Sequence, residues 1–211
     1  METKTMTVHE ALCRLKVIDK RVRSLKDSTF IGLARKSDTK IGGVPIEDVK
    51  RIFQSDYDKL MGVVAEADAI KAALSLSNAK TVIKVAGKDI TIAEALYILD
   101  KGLPLKKEIL SELKSQYGKA VQTAQKKNGE ELDNKIENYI SATFGSKEKV
   151  DNATLEDATA KYREMHTVEL VDPANLKAEI DKLEAYIDAV ESEIDSAIQV
   201  SNATTTIEIT Y

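Results

Sequence analysis

The sequence has no tryptophan, few aromatic residues of any kind (5%), one cysteine, two histidines and three prolines. Each scarcity closes a class of protein. A β-sandwich or a deep-pocketed α/β enzyme is a poor fit to a chain so low in aromatics, whereas 31% charged residues suit helices rich in Ala, Leu, Glu and Lys. Cys13 stands alone, so no internal disulfide can form. On a helix with no histidine held opposite it by spacing, Cys13 is expected as a small buried hydrophobe rather than a nucleophile. His9 and His166 have neither HExxH spacing nor a cysteine pair, so no zinc site is expected. Glu164 stands two residues before His166, where the Glu-x-x-His of a di-iron bundle needs three.

Other absences concern partners and place. The net charge of −4 argues against general nucleic-acid binding. No apolar run approaches the ~18 residues that span a bilayer. The opening Met-Glu-Thr-Lys-Thr-Met-Thr has no signal-peptide core, so the expectation is a soluble cytoplasmic protein without membrane contact. Gly87-Lys88 is not a phosphate-binding loop, because Val82 stands where the first glycine belongs and Asp89 replaces the Ser or Thr. No catalytic residue, metal ligand or cofactor is expected, and the chain does not read as an enzyme.

What is present is helix chemistry. Thr7 and Glu10 have the spacing of a capping box, and Val8, Ala11, Leu15, Ile18, Val22 and Leu25 then form one apolar seam. The pattern breaks from Asp27 to Val44, where Gly32, Gly42 and Gly43 permit positive φ ahead of Pro45. A second long helix should run from about Pro45 to Ser77-Asn78. Alternation at Thr81, Ile83 and Val85, a turn at Ala86 to Asp89 and a return at Ile90 to Ile92 predict a β-hairpin. Thr91 and Glu94 are a second capping box, opening a helix that Gly102 and Pro104 should kink near Lys101. Residues 126–172 are less regular: one short helix should end at Gly145, another should begin with Thr154 and Asp157 as its cap pair, and residues 168–171 read as extended. Asp172-Pro173 reads as the N-cap and first residue of a last helix, followed by a strand after Ser201-Asn202.

These elements echo one another. Met6-Thr7 with Glu10-Ala11-Leu12 returns as Ile90-Thr91 with Glu94-Ala95-Leu96, an offset of 84 (91 − 7). Ser77-Asn78-Ala79 with Thr81 and Ile83 returns as Ser201-Asn202-Ala203 with Thr205 and Ile207, an offset of 124 (205 − 81). The chain therefore reads as a strand–helix–loop–helix–strand repeat over 1–86 and a second over 87–211, with an insertion at about 126–172 in the second tip. The expected fold is mainly α: two tandem antiparallel, coiled-coil-like hairpins forming a four-helix arrangement, with a small antiparallel β-sheet at one end, all as one domain. The capped openings, the Gly87-Lys88 turn and the Ser201-Asn-Ala-Thr-Thr ending resemble a phage- and prophage-encoded helical family of unknown function. The helix ends alone are also similar to the septicolysin family. Neither resemblance implies a catalytic motif; the first implies a phage-type accessory factor in the host cytoplasm.

Two clusters are candidate ligand sites. At the first tip, Arg35, Lys36 and Lys40 with Gly42 and Gly43 precede a helix N-terminus, where cations, flexible backbone N–H groups and the helix dipole could hold an anion. At the strand end Asn78, Thr81, Asn202, Thr204 and Thr205 gather, although helix termination and strand pairing account for them without a ligand. The expected function is a non-catalytic binding protein that sequesters a host partner or an anionic small ligand such as a nucleotide immune signal. The alternative is a structural or scaffolding component of a virion or cellular assembly. Strong seams favour a homo-oligomer.

Overall fold

The computed structural model describes residues 3–145 and 151–210. The chain is mainly helical, with short antiparallel ribbons at and between helix ends. It falls into two compact units, one running through Asp100 and resuming at Ala189, the other from Lys101 to Asp188. The boundaries cut across the repeat limits read from the sequence, and helix α7 (Leu176–Thr204) contributes to both units.

In the first unit, strand β1 (Thr3–Thr7) leads into α1 (Val8–Leu25) through the expected capping box. The Thr7 N–H donates to Glu10 Oε2 at 2.8 Å, and the Glu10 N–H donates to Thr7 Oγ1 at 3.1 Å. The α1 seam is buried at Val8, Ala11 and Ile18. It packs with Val63, Ile70 and Leu74 of α2 (Ile46–Lys80) and with Ile207 and Ile209 of β6 (Thr206–Thr210). Fully burying one such Ile or Leu contributes about 1.5–3 kcal/mol, several times an intrinsic helix propensity, so packing fixes the pair.

Between α1 and α2 the chain forms a small ribbon, β2 (Lys40–Ile41) with β3 (Val44–Pro45), where the sequence predicts only a loop. Gly42 and Gly43 make its two-residue turn at φ +56° and +84°, the left-handed geometry that matches strand twist. After α2 come β4 (Val82–Val85) and β5 (Lys88–Thr91), joined at Ala86-Gly87, and then α3 (Ile92–Tyr97) behind its own capping box. The expected kink is a π-helical turn, Ile98–Gly102, just before Pro104. Instead of one sealing sheet, the described residues hold three separate two-stranded ribbons.

Ribbons β1–β6 and β4–β5 share one register. Thr7↔Thr206, Met6↔Ile207 and Lys4↔Ile209 become Thr91↔Val82, Ile90↔Ile83 and Lys88↔Val85 at the same two offsets. The flanking bonds match as well: Val8 N–H to the Thr205 carbonyl at 2.9 Å, Ile92 N–H to the Thr81 carbonyl at 3.0 Å.

The second unit holds α4 (Leu103–Asn128), α5 (Glu130–Phe144), α6 (Asn152–His166) and the first part of α7. Leu132, Ile136 and Ile140 of α5 are buried, with Leu155 and Tyr162 of α6 packed on them. Two helix starts differ from expectation. The N-cap of α6 is Asp151, not Thr154: its carboxylate accepts the Thr154 N–H at 2.8 Å. Helix α7 begins at Leu176 rather than Pro173, because the Asp172 carboxylate accepts the Leu176 N–H and Asn175 sits at φ +52° between them. Residues 168–171 join no ribbon; the Asn128 amide holds both backbone groups of Val168 at 2.8 Å.

Candidate functional site

The candidate site is the first tip, between Leu25 and Ile46. Its backbone is closed by local bonds. The Asp38 side chain accepts the Arg35 N–H at 2.9 Å, the Asp38 N–H reaches the Arg35 carbonyl at 3.0 Å, and the Ile46 N–H reaches the Thr39 carbonyl at 3.2 Å. Folding back in this way, the loop lays apolar residues along the start of α2. The result is a groove of about 590 Å³ whose walls include Phe30, Ile41, Val49, Phe53 and Tyr57. Phe30 and Tyr57 meet edge to face at 6.4 Å between ring centroids. Gly32 is not at positive φ, contrary to its sequence reading; it is placed by close approach, since a Cβ there would lie 3.2 Å from the Phe53 ring. Ile31, itself a lining residue, and Leu33, between the lining residues Gly32 and Ala34, are 81% and 94% exposed.

The residues singled out from sequence lie elsewhere on the tip. Arg35, Lys36, Lys40, Gly42 and Gly43 are all exposed, and none lines the groove. The three cations have no ion-pair partner among the described residues. The space around Gly42 and Gly43 is open, with nothing within 4 Å of where a Cβ would stand. At the α2 N-terminus, the first turn carries Glu47 and Asp48, which already place negative charge against the helix dipole. Glu47 accepts from Lys50 Nζ at 2.8 Å, and that bond lowers its carboxyl below the ordinary value; Asp48 pairs with Arg51. A signal for the groove is present in the sequence: Phe30, Ile31 and Leu33 are a run of large apolar residues in a loop.

Elsewhere the chemistry is sparse. Cys13 is exposed rather than buried, with Sγ 3.7 Å from His9 Nε2 one helical turn away. Among the described residues, no group of three or more His, Cys, Asp or Glu side chains could hold a metal ion. No helix among them is long and apolar enough to cross a membrane. In the strand-end cluster the threonines are held locally: Ser77 and Thr81, and Ser201 and Thr205, sit with hydroxyls 3.4 Å apart, and the Thr204 hydroxyl donates to the Val200 carbonyl.

Fold and site together define a mainly helical protein with an open apolar groove at a helical tip. No family model, curated protein or solved structure matches the chain.

Proposed function

We propose that the chain is a non-catalytic binding protein whose first tip docks an apolar segment of a partner protein and so sequesters it. The observation that carries this reading is the aromatic-walled groove with Ile31 exposed in its lining and Leu33 exposed next to it in the loop. Apolar side chains so exposed on a loop favour a site that a partner desolvates, and aromatic walls are what such hot spots use. Arg35, Lys36 and Lys40 add a cationic margin that favours acidic residues flanking the docked segment.

The runner-up is an anionic small ligand such as a nucleotide, favoured by those three unpaired cations. Glu47 and Asp48 in the adjacent helical turn weigh against it. The wider reading of the chain as two tandem hairpins, 1–86 and 87–211, forming a four-helix arrangement, draws support from the shared ribbon register and the matching capping boxes.

The test is a displayed peptide library selected on the purified protein. Apolar or aromatic peptides flanked by acids should be enriched, and Leu33→Asp and Phe53→Ala should each weaken their binding at least about tenfold, or 1.4 kcal/mol. Enrichment of nothing, or of peptides indifferent to both variants, would overturn the reading. A thermal-shift response to nucleotides that disappears in Arg35→Ala and Lys36→Ala would favour the runner-up.

A further inference from the structure

A second surface lies well away from the tip in sequence and is built twice. Among the described residues, β4 pairs only with β5 and β6 only with β1, so each has one edge with no strand partner, the Ala86 N–H just past β4 being taken by Glu193 Oε2 of α7 at 2.7 Å. Beside β4 runs a groove of about 610 Å³, bounded by Ala197 and Val200 of α7. Beside β6 runs its counterpart of about 500 Å³, bounded by Ala73 and Leu76 of α2. Ala73 and Leu76 occupy the positions of Ala197 and Val200 at the offset of 124, and Thr81 and Thr205 line both grooves. Leu76 and Val200 are 57% and 61% exposed. A strand edge flanked by an apolar helix margin fits an incoming extended strand, whose backbone fills the edge while its side chains cover the helix.

We propose that the incoming strand comes from a second copy of this chain, with β4 of each copy pairing antiparallel to β6 of the other. Charge selects this arrangement. Lys84 is the third of the four β4 residues and Glu208 is the middle residue of β6, and neither has an ion-pair partner among the described residues. Pairing β4 with β4 about Lys84, or β6 with β6 about Glu208, would set like charges directly opposite, which is destabilising on a sheet, and self-pairing centred on Ile83 or Ile207 sets them opposite Val82 or Thr206, with no opposite charge to meet. The mixed pairing sets Lys84 opposite Glu208. That register also sets Ile83 opposite Ile209 and Val85 opposite Ile207, so the inward faces of both strands stay inward. The contact is isologous: a twofold axis makes both mixed pairings at once and closes the assembly at two copies.

Sedimentation of the full chain tests this, with circular dichroism as the check on folding. The wild type should sediment as a dimer. Lys84→Glu alone and Glu208→Lys alone should each keep the helical signal and dissociate at least about tenfold more readily. The double variant Lys84→Glu/Glu208→Lys should dimerise as the wild type does. Mixing the two single variants should form a heterodimer, because each then supplies the charge the other lacks. A monomeric wild type, single variants that dimerise unchanged, or a mixture that stays monomeric would overturn the proposal. Leu33→Asp at the tip should leave the dimer intact, so this result is separable from the fate of the tip reading.

Discussion

Arg14 of α1 grips Glu66 of α2 with two hydrogen bonds, Nε to Oε1 at 2.6 Å and Nη2 to Oε2 at 2.8 Å. Glu66 is a charged residue in the α2 packing face, 6% exposed, while Arg14 keeps part of its side chain in water. At the offsets of 84 and 124, the corresponding positions hold Ile98 and Val190, an apolar pair. Position for position, one half of the chain has an ion pair where the other has hydrocarbon. Arg14→Ala should lower stability to urea by about 2 kcal/mol, because it strands a desolvated carboxylate. The double change Arg14→Ile/Glu66→Val should recover most of that loss, since a packed apolar pair can replace a buried ion pair at little cost. A double variant no more stable than Arg14→Ala would show that the site cannot close on apolar groups.

The same pair sets an acid limit. The hydrogen bond from Arg14 holds the Glu66 carboxyl below its ordinary value of 4.5 despite burial pushing the other way. A carboxyl depressed in the folded state stabilises the fold above its unfolded value and loses that contribution as pH falls through the folded value. The capping-box carboxyls Glu10 and Glu94 are lowered too, chiefly by the Thr7 and Thr91 backbone N–H groups. Stability should therefore hold from neutral pH to about 4.5 and decline below it. In Glu66→Gln the acid decline should be shallower, read as melting temperature against pH.

Gly32 gates the tip groove. A methyl there meets the Phe53 ring at 3.2 Å, so the ring must yield, and a branched side chain would fill the space beside it. Gly32→Val should cut binding of a selected peptide at least about tenfold while moving the melting temperature little, because the loop is exposed and the backbone is not left-handed. Unchanged peptide affinity would place the docking surface elsewhere.

Asn128 holds the chain that follows α6. Its amide donates to the Val168 carbonyl and accepts the Val168 N–H, both at 2.8 Å, as a neighbouring strand would. Two such bonds contribute about 2 kcal/mol locally, so Asn128→Ala should speed exchange of the Val168 amide roughly thirtyfold. Exchange at an unaltered rate would show that the amide only decorates that segment.

Much of the helical framework is legible in the sequence because its signals are local. Thr7–Glu10 and Thr91–Glu94 cap helices wherever they occur, and a 3–4 apolar rhythm marks a buried face without knowledge of the partner. Errors arise where two local signals compete. Asp172 offers its carboxylate as a cap, but Asn175 in the left-handed region delays the helix by a turn. Gly42-Gly43 between Ile41 and Val44 is a hairpin signal hidden inside a loop rich in charge. The tip site divides in the same way. Its cations are visible in any linear reading, whereas the groove exists only once Phe30 and Gly32 fold back on Phe53 and Tyr57, over twenty residues further along. Exposure of Cys13 is likewise a matter of which helix face the packing selects.

The shared register of the ribbons carries a topological consequence. β1–β6 repeats the β4–β5 hairpin with Thr210 and Thr3 at the positions of Ala86 and Gly87, where they are register partners instead of a turn. A short linker from residue 210 to residue 3, with a cut at Ala86-Gly87, would exchange the turn and the gap while leaving every strand pair in place. The two junctions are interchangeable, and a circular permutant opened there should fold to the same ribbons in a new chain order.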